Sequence, residues 1–333
     1  MNVSRRSGGT WIVPAILLLA AVMSPGCAPG DRPDILALAT AGTGGVYYVL
    51  GGSIAELWSR ELPEHDFVAE VTGGSVENLS LLLGGDVHVA FSMGTSAHEL
   101  YNATGSFSGR APAQVLALTA LYPNVLHLVT LEGTGVESLA DLVGRRVSVG
   151  APGSGTEVAA RTLLEGNGID YDDFRPQRLN FNETGSALRD GNIDAGFLSA
   201  GPPTSAILDL ATARRMRLVP IRATEVENTS LLDPTVSIDF FLPGTYPGQD
   251  TEVETLSTPN VLVVRADMAE ELAYDLIRAL FAVRTELASV HPAARHISAE
   301  YTLGASPIPL HPGAVRYFVA AGYEVPDHLI SSP

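Results

Sequence analysis

A strand–turn–helix pattern is written twice in this chain. Ile35-Leu36-Ala37-Leu38-Ala39-Thr40 is a short apolar run that ends in Ala41-Gly42-Thr43-Gly44-Gly45. Val46, Val49, Leu50, Ile54 and Leu57 then fall near helical spacing over 46–60. Downstream, Arg146-Val147-Ser148-Val149-Gly150 reads as a strand, Pro152-Gly153-Ser154-Gly155-Thr156 as its turn and 157–165 as a helix. A second pair repeats as well: Leu82-Leu83-Gly84-Gly85-Asp86 runs into a buried strand closing on Phe91, and Leu188-Arg189-Asp190-Gly191-Asn192 into one closing on Phe197. Alternating strands and helices in two similar modules predict an α/β protein of two lobes, each a mostly parallel sheet flanked by helices.

The chain is expected to cross between lobes near Leu121–Leu131 and to return within Ser237–Val264, two stretches with an extended pattern. The expected division is 35–123 for the first lobe, 124–236 for the second, and 237–333 for the return with C-terminal helices. Asp267 is the expected N-cap of a helix from Met268 to Val290. Two lobes joined by crossing strands leave a cleft, the usual place for a small ligand.

Charge limits what that ligand and other partners can be. The net charge is −17, and every cationic side chain is Arg, since the chain contains no Lys. Nothing here neutralises a run of phosphates, which excludes nucleic acid. An acidic protein is equally unsuited to anionic lipid surfaces.

The N-terminus has the form of a secretion signal. Arg5 and Arg6 give a positive start, an apolar run extends from Trp11 to Met23, and small residues precede Cys27, the only cysteine. Residues 1–26 are read as the signal and 27–34, rich in Pro and Gly, as a tether. A lone Cys makes no intrachain disulfide. Directly after Gly26 it resembles a lipoprotein processing site, so the expected location is the periplasm with a lipid anchor on Cys27; ordinary cleavage nearby is the alternative.

The candidate ligand residues cluster at the turns. Thr43-Gly44-Gly45 and Ser154-Gly155-Thr156 each place backbone N–H groups and a hydroxyl at a helix N-terminus, which suits a carboxylate. The alternative is that these glycines only make tight turns. Ser75, in Thr72-Gly73-Gly74-Ser75, serves either as an N-cap or as a ligand contact. Ser92 and its second-lobe equivalent, Ser199-Ala200-Gly201-Pro202, sit where strands end, the ligand side of open α/β sheets. Tyr47 offers a wall and a phenol donor, or else packs in the core.

No catalytic set, cofactor motif or metal site emerges. Gly153-Ser154-Gly155 has the wrong spacing for a nucleophile elbow. The glycine turns fall short of a dinucleotide fingerprint, and a phosphate loop needs Gly-Lys. The eight His are scattered, and Pro292 separates His291 from His296.

Several of these segments resemble the TAXI group of TRAP-transporter solute receptors. They are the first glycine turn with Tyr47-Tyr48, Thr72–Leu79, Val147–Glu157, Gly244-Thr245-Tyr246-Pro247-Gly248-Gln249 and Pro307–Ala314, in order from about Leu36 to Tyr323. The resemblance implies a type II periplasmic-binding-protein fold that closes on a small carboxylate of the amino-acid or oxoacid type. It also implies delivery to a separate membrane permease driven by an ion gradient, and no enzymatic activity. Service to a signalling sensor, or a ligand like a thiamine precursor, are the alternatives. Two departures from the family bear on the ligand. Ala41 replaces a usual glycine, and Met93-Gly94-Thr95 stands where Gln-Ser-Asp is common.

Overall fold

The computed structural model describes residues 1–2 and 34–331. Cys27 and the expected signal and tether, apart from Met1, Asn2 and Asp34, lie outside them. The first lobe opens with β1 (Asp34–Ala39), α1 (Val46–Glu61), β2 (His65–Glu70), α2 (Ser75–Gly84), β3 (Val89–Met93) and α3 (Gly94–Tyr101). The long strand β4 (Val115–Leu131) leads to β5 (Arg146–Ser148), α4 (Gly155–Gly166), β6 (Arg175–Gln177), α5 (Phe181–Arg189) and β7 (Ala195–Ala200). Then come α6 (Ser205–Ala213), β8 (Met216–Leu218), α7 (Ala223–Ser230) and β9 (Ser237–Phe241). The return strand β10 (Val253–Arg265) precedes α8 (Glu270–Val290), α9 (Ala299–Ala305) and α10 (Pro312–Ala320).

The duplicated pattern becomes duplicated topology. β1 lies parallel to β2 and β3 on either side, and β5 lies parallel to β6 and β7 in the same way. β10 is antiparallel to β3 and β4 antiparallel to β7, while β4 and β10 pair with each other. The result is one path, β2-β1-β3-β10-β4-β7-β5-β6, with two parallel ends and a crossing pair in the middle.

Each lobe has its own core. In the first, Leu50, Ile54 and Trp58 of α1 pack with Leu38 of β1, Phe91 of β3, and Leu276 and Leu280 of α8. Trp58 Nε1 donates to the Leu276 carbonyl at 3.0 Å, so the buried indole is satisfied. In the second, the side-chain alternation of a strand divides β4 between two clusters. Leu126 and Leu128 face Val147, Leu163 and Phe197, whereas Val125 and Val129 face Leu198, Ile207 and Phe241.

Two expectations need correction. The return to the first lobe comes later than residue 237: Phe241 and Tyr246 pack with Val125, Val129 and Leu198, and β9 pairs with the second-lobe half of β10. α8 begins at Glu270 with Ala269 as N-cap, and Asp267 instead pairs with Arg265 Nε at 2.8 Å. The carboxylate meets a guanidinium two residues away, so it is drawn from the helix end.

Candidate functional site

A cavity of about 560 Å³ opens between the lobes. Three turns line it: Ala41–Gly45 before α1, Thr72–Ser75 before α2, and Ala151–Thr156 before α4. Asn180–Glu183 at the start of α5 and Tyr122, Asn124, Ser199 and Ala200 from the crossing region complete the wall.

The turn before α4 is capped by its serine. Ser154 Oγ accepts from the Glu157 N–H at 3.1 Å, and the hydroxyl keeps its proton for donation. The N–H groups of Gly155 and Thr156 have no acceptor among the described residues. α1 starts from Gly45 with no side-chain cap, leaving its first-turn N–H groups at Val46 and Tyr47 to the cavity. The positive ends of two helices thus face one cavity.

The N-terminus of α2 has a different job. The Val76 and Glu77 N–H groups donate to the Gly153 carbonyl at 3.0 and 3.1 Å, joining the lobes. Its N-cap is Gly74 at φ 121°, a conformation that favours glycine, and not Ser75. Ser75 Oγ accepts from the Met93 N–H at 3.0 Å. More bonds cross the cleft on its other side. Thr204 and Ser205 donate to the Gly44 carbonyl at 3.0 and 3.1 Å, and Asn182 Nδ2 donates to Thr43 Oγ1 at 3.2 Å.

The glycines permit this close approach. A Cβ on Gly155 would meet Met93 Sδ and Ser75 Oγ, and one on Gly44 would meet Asn182 and Phe181. They do more than turn the chain, because they let one lobe's turn rest on the other.

Thr43, Gly44, Gly45, Tyr47, Ser75, Ser154, Gly155 and Thr156 all line the cavity; Ser92, Gly201 and Pro202 do not. Ser92 is buried and donates to the Met93 carbonyl at 2.9 Å. Gly201 lies under the Tyr122 ring, where a Cβ would come within 3.1 Å. Tyr47 packs on Phe91 at 4.8 Å and donates to Asn260 Oδ1. Burial raises its phenol pKa, and a bond to Ser75 opposes the rise.

Reading the sequence did not find Tyr122, Asn124 or Asn180–Glu183. Signals for them existed. Tyr122-Pro123-Asn124 interrupts the apolar run of β4, and Asn180 with Glu183 three residues on is a capping-box pattern. Both bonds of that box form: Glu183 N–H to Asn180 Oδ1 at 3.0 Å, and Asn180 N–H to Glu183 Oε2 at 2.8 Å.

The charge inventory is sparse. Among the described residues lining the cavity, Glu183 is the one carboxylate, already engaged in its capping box, and no Arg or His is present. Groups of three or more His, Cys, Asp or Glu placed to hold a metal are absent among the described residues. No described helix is long and apolar enough to cross a membrane.

Two α/β lobes, two crossing strands and a cleft between the lobes define a periplasmic-binding-protein fold. The chain belongs to the NMT1-like family, which it matches over residues 38–322. Among solved structures it is similar to a protein of Bordetella bronchiseptica RB50, at 19% identity over 90% of this chain and 91% of that one, with a TM-score of 0.51. The periplasmic aliphatic sulphonate-binding protein SsuA of Escherichia coli matches at 15% identity over 91% and 93%, with a TM-score of 0.47. A methylphosphonate complex of PhnD1 from Prochlorococcus marinus matches at 13% identity over 80% and 89%, with a TM-score of 0.49. At 19% identity the likeness to the Bordetella protein is one of fold.

Proposed function

We propose that this protein is the extracytoplasmic receptor of a bacterial importer, and that it captures a small carboxylate of the amino-acid or oxoacid type without chemical conversion. The carrying observation is the pair of helix N-termini, α1 and α4, that present N–H groups without acceptors to one cavity. Each N-terminus contributes about 0.3–1 kcal/mol toward an anion, and each hydrogen bond to the charged acceptor about 1.5–3 kcal/mol. The protein's net charge of −17 opposes this only weakly. Exposed charges beyond roughly 8–10 Å are screened at physiological ionic strength, while donors in a closed cleft are not.

The finer reading follows the resemblance of the five ordered motifs. The receptor is a TAXI-type subunit held in the periplasm through a lipid on Cys27, and its partner is a TRAP permease driven by an ion gradient. A thermal-shift screen tests the ligand class, because a ligand bound only by the folded state raises apparent stability. Small carboxylic acids are expected to raise the melting temperature and their matched neutral amides to leave it unchanged. Amides that stabilise as strongly as the acids would overturn the reading.

A further inference from the structure

The crossing strands carry three buried polar atoms with no hydrogen-bond partner among the described residues: Tyr122 Oη, Asn124 Oδ1 and Asn260 Nδ2. Their residues are at most 1% exposed. All three come from the crossing strands, where Asn260 of β10 stands opposite Tyr122 of β4. Tyr122 and Asn124 line the cavity itself. Their neighbours fix the remaining polar atoms. Asn124 Nδ2 donates to Ser199 Oγ at 3.1 Å, and Asn260 Oδ1 accepts from Tyr47. What is left is one acceptor (Asn124 Oδ1), one donor (Asn260 Nδ2) and a phenol able to act as either.

Buried groups of this kind cost stability unless something pairs with them, and three together on one pair of strands are unusual. We propose that Tyr122 and Asn124 are specificity-determining residues that read a neutral group, a hydroxyl or a carboxamide, on the ligand carbon chain beyond its carboxylate. This rests on the anion-binding role of the helix N-termini. A hydroxyl or a carboxamide donates to Asn124 Oδ1 and accepts from Tyr122 Oη at once. A second carboxylate only accepts and sets oxygen against Asn124 Oδ1; a methyl group leaves both unpaired. Val71, Met93 and Phe181 supply the apolar wall for the carbon chain.

The test is calorimetric titration of the full chain with unsubstituted, hydroxy-terminated, amide-terminated and dicarboxylate acids of three to eight carbons. At the preferred length, the hydroxy or amide acid is expected to bind about tenfold or more tightly than the unsubstituted acid, and more tightly than the diacid. Tyr122→Phe and Asn124→Leu should each bring the affinities of the substituted and unsubstituted acids together. Tyr122→Phe should also keep the melting temperature, since the hydroxyl it loses has no partner in the protein. Equal affinity for substituted and unsubstituted acids at every length, preference for the diacid, or a gain that survives in Tyr122→Phe would overturn the proposal. Failure of the anion reading looks different: the uncharged hydroxy amides would then bind as well as the hydroxy acids, with the Tyr122 and Asn124 effects intact. No binding by any member would overturn both.

Discussion

A Cβ added to Gly155 would stand 2.6 Å from Met93 Sδ, across the cleft in the other lobe. Ser75 Oγ would lie equally close, and real Cβ atoms do not approach other atoms so closely, so any side chain here must push the lobes apart or move both Met93 and Ser75. Gly155 is also the first residue of α4, a position where alanine suits a helix at least as well as glycine. Gly155→Ala is therefore expected to preserve the fold and impair closure. Scattering with saturating ligand should give a larger radius of gyration than wild type, and affinity should fall about tenfold or more. Shortening the opposing side chain in Gly155→Ala/Met93→Ala should recover part of the loss. Wild-type affinity in the single variant would show that close contact here is not needed for binding.

Ser154 both caps α4 and faces the cavity, and two substitutions separate the roles. Ser154→Ala removes the cap and should cost about 0.5–2 kcal/mol of stability together with weaker binding. Ser154→Asp keeps an acceptor for the Glu157 N–H and suits the helix dipole, but sets a carboxylate where the ligand anion is expected. Its melting temperature should stay near wild type while binding of acids is lost. Acid binding undiminished in Ser154→Asp would remove Ser154 from the ligand site.

His127 makes stability depend on pH. Its imidazole is buried between the Leu198 carbonyl, at 3.0 Å from Nδ1, and Tyr246 Oη, at 2.8 Å from Nε2. Nδ1–H donates to the carbonyl and Nε2 accepts from the phenol, whose oxygen takes the Thr204 N–H at 3.1 Å. Burial lowers the imidazole from the ordinary 6.5 to about 4. Between these values the unfolded chain binds a proton that the folded chain refuses. Stability is thus full above about pH 6.5 and is lost as the pH falls toward 4, by about 3 kcal/mol from this residue. Denaturant titrations over that range should show a shallower loss in His127→Gln than in wild type. Burial lowers His291 and His311 too, so some slope should remain.

Cys27→Ser tests the anchor. The charged start, the apolar run and the small residues before Cys27 lead to the expectation that the variant moves from the membrane fraction to the soluble periplasm. An unchanged partition would mean that Cys27 carries no lipid.

The two lobes were legible because each is announced locally, by an apolar run followed by a glycine turn and a helical stripe. The cavity-lining turns followed from the same signal. What those turns do was not legible, since it depends on the opposite lobe. Gly153 reads as a turn residue, yet its carbonyl holds the N-terminus of α2. Ser75 reads as a cap, yet it receives the Met93 N–H. Tyr122 and Asn260 lie 138 positions apart and become neighbours only when β10 returns beside β4. No local pattern carries such a pairing; polar residues within long apolar strands are its only trace.

The central claim is that an anion sits on the N-termini of α1 and α4. The most direct measurement is backbone amide nuclear magnetic resonance during titration with a small carboxylic acid that raises the melting temperature. The largest downfield amide proton shifts should fall on Val46, Tyr47, Gly155 and Thr156, whose N–H groups would gain a charged acceptor. The amides of Val76 and Glu77, bonded to the Gly153 carbonyl, should move much less. Shifts concentrated elsewhere, with the first four amides unmoved at saturation, would contradict the account.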